Sequence, residues 1–278
     1  MTSTLNIAAI QLTSTKDWQQ NLNEVTRLVE LAVKDGARLV VLPENVFLFG
    51  GKEMRQLAES EDQAVLLARI SNLAKLHNIY LVVGSHPSLS RPDGTEVEHK
   101  RVRQTCWVIN PEGDFVERYD KIHLFDVMVD DKAASYKESD SIEPGDLALN
   151  MVNVDGFNVG LSICYDVRFP ELYRELAAQG ADVFLVPAAF TYVTGKAHWD
   201  ILLAARSIEN QCYVLGVGQC GWHSPTRQTY GHSVLYSPFG ERLAGLEDEP
   251  GYFVYSIDKD SLSERRAKMP CQAHRRLR

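Results

Sequence analysis

Apolar runs of strand length alternate with helical patterns along the chain. Leu5–Leu12 and Leu39–Leu42 are short, continuous apolar runs that predict buried strands. Between them Leu22, Val25, Leu28, Val29 and Ala32 recur at three- and four-residue steps, the spacing of one helix face, and Asp35-Gly36 supplies its stop. The cycle repeats with a helix marked by Leu66, Ile70 and Leu73, then a strand over Ile79–Gly84. Thr105–Ile109 and Phe115–Tyr119 flank Pro111-Glu112-Gly113-Asp114, and Met151–Val154 and Val159–Ile163 flank Asp155-Gly156, which predicts two hairpins. A helix over Pro170–Gln179 opens on Pro and stops at Gly180. A strand (Val183–Val186), a helix (His198–Glu209), a strand (Tyr213–Gly218) and a hairpin turning at Ser237–Gly240 follow.

Mixed βα units and hairpins predict an α/β fold with two mixed sheets and helices outside them, a four-layer α-β-β-α sandwich. No Ser/Gly-rich linker interrupts the pattern, so residues 1–278 are expected to form a single domain. The longest irregular stretches are Ser88–Glu98 and Asp126–Asp146, and long ordered loops in compact domains are often functional.

Composition narrows the chemistry. With 45% hydrophobic and 24% charged residues, the chain has ordinary globular values. A net charge of −8 argues against a nucleic-acid platform, which normally shows a basic face. No stretch approaches 18 apolar residues, so no membrane span is expected. The start, MTSTLNIAAIQL, lacks the basic region of a secretory signal. The five cysteines are odd in number and contain no CxxC pair, which excludes a zinc ribbon and points to reduced thiols and a cytoplasmic setting. The histidines show no metal-ligand spacing, and neither a phosphate loop nor a dinucleotide fingerprint occurs, so neither metal nor cofactor is expected. The remaining partners are a small molecule and a second copy of the chain.

Cys164 ends an apolar strand and precedes a helix that opens at Pro170. A strand–turn–helix junction presents its turn residue outward and aims backbone N–H groups at what that residue attacks. A free thiol is only a few per cent thiolate at pH 7, so a nucleophile here needs a base or a positive charge nearby. Cys106 and Cys212 fall inside apolar strand patterns and are expected in the core, while Cys220 and Cys271 fall in loop-like contexts. A papain-like base among His123, His198, His223 and His232 is conceivable, but that family's cysteine signature is absent. Glu44 follows the apolar run ending at Leu42-Pro43, and Lys121 follows the strand ending at Tyr119. Ligands of α/β sheets bind beyond the carboxyl ends of strands, so the two can converge on one edge.

Leu42-Pro43-Glu44, Tyr119-Asp120-Lys121-Ile122-His123-Leu124 and Gly160-Leu161-Ser162-Ile163-Cys164-Tyr165-Asp166 together resemble the three motif blocks of the nitrilase (carbon–nitrogen hydrolase) superfamily, in order and in spacing. The similarity covers essentially the whole chain. It implies the four-layer sandwich and a Glu–Lys–Cys triad: Glu44 as general base, Cys164 as nucleophile forming a thioester, Lys121 and the backbone N–H of Tyr165 on the oxyanion. Many relatives carry a second glutamate between Lys and Cys. Glu138 matches that position and is the candidate for orienting the base and the attacking water, with Glu143 as the fallback.

The residues around the nucleophile resemble amidase branches rather than true nitrilases, which carry Trp-Glu after the cysteine. Ala189–Trp199 resembles two sister branches, ω-amidases acting on 2-oxoglutaramate and amidases acting on deaminated glutathione. Gln211-Cys212-Tyr213, Gln219-Cys220-Gly221, Thr226-Arg227 and Tyr230-Gly231-His232-Ser233 stand closer to the second; Lys196 departs from the proline common there. The resemblance therefore implies a thiol amidohydrolase releasing 2-oxoglutarate and cysteinylglycine. An ω-amidase and a non-catalytic scaffold of the same fold are the alternatives. An anionic amide needs cationic anchors, so Arg227 is the candidate for the distal carboxylate. Phe190 and Thr194 are candidates for the pocket lining, and Arg168 is left without a role. The resemblance also implies a homodimer or higher even oligomer, with the tail from about residue 262 to 278 at a subunit interface.

Overall fold

The computed structural model describes residues 3–98, 100–131 and 135–277. Its first strand, β1 (Thr4–Gln11), shows how the layers arise. Successive strand side chains point to opposite faces. Ile7 and Ala9 therefore join a core with Leu161 and Leu185, while Ala8 and Ile10 join another with Val25, Val29 and Ile70 of the outer helices.

The first half continues through α1 (Trp18–Lys34), β2 (Leu39–Val41), α2 (Lys52–Glu59), α3 (Asp62–His77), β3 (Tyr80–Ser88), β4 (Arg103–Ile109) and β5 (Phe115–Asp120). A short hairpin, β6 (Asp126–Met128) and β7 (Ser135–Lys137), follows. The second half runs β8 (Met151–Val154), β9 (Phe157–Leu161), α4 (Pro170–Ala178), β10 (Val183–Ala188), α5 (Tyr192–Asn210) and β11 (Tyr213–Gly218). It closes with the β12 (Cys220–Ser224) and β13 (Arg227–Tyr230) hairpin, then β14 (Val234–Tyr236), β15 (Arg242–Gly245), β16 (Gly251–Asp258), α6 (Lys259–Lys268) and α7 (Cys271–His274).

Two six-stranded mixed sheets result, in the orders β16-β1-β2-β3-β4-β5 and β15-β14-β11-β10-β9-β8. Each has a parallel trio, β1-β2-β3 and β9-β10-β11, flanked by antiparallel strands. α1 and α3 cover the outer face of the first sheet; Leu172, Leu176, Trp199 and Leu203 of α4 and α5 join the core of the second. This is the expected α-β-β-α sandwich.

Local signals explain several boundaries. Asp17 caps α1 by accepting from the N–H of Gln19 and Gln20, and the predicted positions Leu22, Val25, Leu28, Val29 and Ala32 form its buried face. Other elements depart from expectation. α5 begins at Tyr192 rather than His198, because the Thr191 hydroxyl accepts from the N–H of Thr194 and starts the helix early. Cys220 is buried in β12 rather than placed in a loop, and Cys271 opens α7. Arg227 opens β13. The Asp126–Asp146 stretch contains the β6–β7 hairpin and a 3-10 turn at Glu138–Asp140.

The C-terminal residues fold back on their own chain. Arg266 donates to Ala181 O at 2.6 Å and pairs with Asp182 at 3.2 Å, Gln211 donates to Met269 O at 2.7 Å, and Arg275 reaches Glu175 at 3.4 Å. Among the described residues no helix is long and apolar enough to cross a membrane.

Candidate active site

Three strand ends build the site. Beyond β2 the chain turns at Glu44 and Asn45, whose φ of +56° is uncommon for a residue with a side chain. Gly84 on β3 permits this path, since a Cβ there would lie 2.1 Å from Leu42 O. Beyond β5, Lys121 is fixed by its N–H to Gln104 O at 2.9 Å and by its carbonyl, which accepts from Gly145 at 2.7 Å. Beyond β9, Cys164 has a φ of +52° and opens the 3-10 turn Cys164–Arg168 that leads into α4.

Asp166 holds that elbow. It is fully buried and accepts from Ile163 N at 2.8 Å, Tyr119 OH at 2.6 Å and His123 N at 3.1 Å, with His123 Nδ1 at 2.7 Å. One carboxylate thereby ties the Cys164 turn to the segment carrying Lys121. The signal for it was a carboxylate two residues past the turn, the position from which Asp caps backbone N–H groups.

The three candidates meet. Lys121 Nζ donates to Glu44 Oε1 at 2.8 Å and to both oxygens of Glu138 at 2.8 and 2.9 Å. Glu44 Oε2 accepts from Ala189 N at 2.8 Å, and Glu138 Oε2 from Phe125 N at 2.7 Å. The Cys164 thiol lies beside the Glu44 carboxylate. Burial, reinforced by the Glu44 charge and only partly opposed by Lys121, pushes this thiol well above its usual pKa. Desolvation disfavours the Lys121 cation, yet Glu138 and Glu44 overcome it and hold the ammonium charged well above the usual lysine value. Burial raises Glu138, with Lys121 pulling down and Glu44 pushing up. The resting site thus pairs a neutral thiol with a carboxylate able to take its proton, beside a fixed cation.

A cavity of about 300 Å³ opens over these groups, lined also by Phe49, Tyr136, Tyr165, Phe190, Thr194 and Arg227. Phe190 packs on Trp199 with ring centroids 4.9 Å apart, and Thr194 Oγ1 lies 2.7 Å from Thr191 Oγ1. Arg227 donates from Nη2 to Ala189 O at 2.8 Å, and its guanidinium lies 4.8 Å from the Tyr136 ring centroid and 5.7 Å from that of Phe49. Tyr136 and Phe49 escape sequence reasoning, because an isolated aromatic in a loop carries no periodic signal. Arg168 stays off the cavity lining, its guanidinium over the rings of Tyr165 and Phe190 and its Nη1 3.2 Å from His198 Nδ1.

Two alternatives are placed elsewhere. Glu143, the fallback to Glu138, is bound bidentately by Arg91 and again by Arg103, which draw its pKa down to about 2. It anchors the loop rather than facing the thiol. None of His123, His198, His223 and His232 lines the cavity. His223 is locked between Ser14 O and Thr229 Oγ1, both at 2.7 Å. Among the described residues no group of three His, Cys, Asp or Glu side chains could hold a metal ion.

The carbon-nitrogen hydrolase family model matches residues 6–267. The chain belongs to the carbon–nitrogen hydrolase family. The hydrolase is 42% identical over 270 residues to a deaminated glutathione amidase of Synechocystis sp., covering 96% of this chain and 97% of that one. Among solved structures it resembles the C. elegans NitFhit protein with a TM-score of 0.88 and 33% identity, spanning 99% of this chain and 66% of the longer relative. It also resembles, with a TM-score of 0.79, 28% identity and coverage of 96% and 95%, a mutant of an amidase from Nesterenkonia sp. AN1 that shows covalent addition of the acetamide moiety of fluoroacetamide at the active-site cysteine. Family and relatives make this hydrolase an amidohydrolase.

Proposed function

We propose that this hydrolase cleaves the amide of deaminated glutathione to 2-oxoglutarate and cysteinylglycine through a thioester on Cys164. The observation that carries the reading is the convergence of Cys164, Glu44 and Lys121 at the floor of one cavity. The raised thiol does not ionise by itself at neutral pH, so proton loss accompanies attack: Glu44 takes the proton as sulfur bonds to the amide carbon. Lys121 and the backbone N–H of Tyr165 stabilise the oxyanion, each such donor being worth about 3–4 kcal/mol. Collapse breaks the C–N bond, and Glu44 returns its proton to the leaving amine. Water then attacks the thioester, Glu44 taking one proton and the thiol regaining it as the acid departs. Glu138, fixed on Lys121, orients the base and the water.

Arg227 receives the distal carboxylate in this reading, its guanidinium being held in the cavity wall by Ala189 O; Lys137, also in that wall, is paired with Asp140. Phe190 and Thr194 complete the lining. The reading extends to two-fold pairing of the chain, for which exposed Val193, Ile201 and Ile208 on α5 supply apolar contacts; sedimentation velocity tests it. The substrate is tested by specificity constants on deaminated glutathione and 2-oxoglutaramate, with dipeptide and ammonia measured as products. A higher constant for the first supports the reading. A higher constant for the second, with ammonia released, makes the enzyme an ω-amidase instead.

A further inference from the structure

Two polar atoms in the cavity walls lack partners. Gln104 is 1% exposed, and its Nε2 donates to Asn45 Oδ1 at 2.6 Å and to Met54 Sδ at 3.1 Å. That fixes the amide and leaves Oε1 buried without a hydrogen bond. Arg227 is fixed by Nη2 on Ala189 O and by the Tyr136 and Phe49 rings, and its Nη1 is likewise buried and unpaired. Both residues line the cavity that holds Glu44, Lys121 and Cys164.

Leaving a buried acceptor unpaired forfeits its hydration without return, and a charged donor costs more. Each such group in a native protein calls for an explanation. Neither atom takes part in the proton transfers of Glu44 or in the contacts of Lys121. A buried unpaired acceptor and a buried unpaired cationic donor, on two residues that line the same cavity, match the end of a peptide, which offers an N–H and, past one carbon, a carboxylate.

The geometry points to a leaving-group subsite in which Gln104 Oε1 accepts the N–H of the terminal glycine and Arg227 Nη1 donates to its carboxylate. This rests on the reading that the departing amine is a dipeptide, and it adds a source of selectivity. Ammonia leaving from 2-oxoglutaramate brings neither group, so both protein atoms stay unpaired. Sites built to hydrogen-bond a ligand N–H or O–H reject analogues without it far more strongly than apolar pockets reject a missing methylene.

The test compares kcat/KM for deaminated glutathione with that for its analogue in which glycolate replaces glycine, so that an ester oxygen stands where the N–H stood. The wild type is expected to favour the amide by about tenfold or more, and Gln104→Leu to bring the ratio close to one. A second pair, the free acid against the glycinamide, is expected to lose its discrimination in Arg227→Gln. Equal constants for amide and ester in the wild type overturn the subsite without need of any variant. An unchanged ratio in folded Gln104→Leu overturns the assignment to Gln104. A wild type that cleaves neither peptide overturns the proposed substrate, and the subsite with it.

Discussion

Lys121 Nζ and Glu44 Oε1, from residues 77 positions apart in the chain, stand 2.8 Å apart with side chains only 2% and 3% exposed. Removing one member of a buried pair is far costlier than the pair's net worth, because the partner's charge stays buried and uncompensated. Lys121→Met strands two carboxylates, Glu44 and Glu138. It is expected to lose about 3–5 kcal/mol of stability at pH 7 and less at pH 5, where Glu138, already raised by burial and freed of the Lys121 cation, takes up a proton. Activity should fall by about 10²–10³. Urea unfolding at the two pH values checks the first, and an equal loss at both would contradict it.

Asp166 is the joint between the Cys164 elbow and the Lys121 segment. Asp166→Ala leaves the N–H of Ile163 and the hydroxyl of Tyr119 buried without this acceptor. The expected result is destabilisation of about 3 kcal/mol or more and a kcat reduced in the molecules that remain folded. Thermal unfolding together with active-site titration separates the two effects. A normal kcat per titrated site would show that the elbow holds its shape without this carboxylate.

Arg227→Ala removes the guanidinium from the cavity wall while leaving Glu44, Lys121 and Cys164 in place. The KM for deaminated glutathione should rise by about tenfold or more, with a smaller change in kcat. An unchanged KM rules out the carboxylate contact.

His86 and His223 make stability depend on pH between about 6.5 and 4. Burial lowers both pKa values from 6.5 to about 4. Between those values the unfolded chain binds a proton that the folded one does not, so stability rises with pH across this window. Their contribution is fully present above pH 6.5 and lost as pH falls toward 4, by an amount on the order of 3 kcal/mol for each histidine. His223→Gln should flatten the urea midpoint between pH 6.5 and 4.5 relative to wild type. A parallel curve would contradict the assignment.

The strand ends at Glu44 and Cys164 are legible because each follows an apolar run that must stop where a charged or reactive residue begins, whereas Lys121 follows the largely polar β5 and is placed by the hairpin before it. Their convergence at one edge follows from the sheet order. The α1 face is equally plain, since five apolar positions keep helical spacing over three turns. α2 is not, because Lys52–Glu59 buries only Met54, Leu57 and Ala58, too short a run to show a period. β16 is hidden for another reason: its Tyr252–Tyr255 stretch is apolar at every position and shows no alternation, because Tyr252 and Val254 pack toward the helix side while Phe253 and Tyr255 face the other sheet. Gln104 and Arg227 lie beyond local pattern altogether. What marks them is an atom left unpaired after tertiary neighbours have taken the rest, and no spacing along the chain encodes that.

The central claim is a covalent intermediate on Cys164. Rapid acid quenching during turnover of deaminated glutathione, followed by mass spectrometry of the intact and digested protein, tests it directly. The expected result is a 2-oxoglutaryl adduct on the peptide containing Cys164, absent from an inactive Cys164→Ala enzyme. Full hydrolysis by Cys164→Ala would contradict the account.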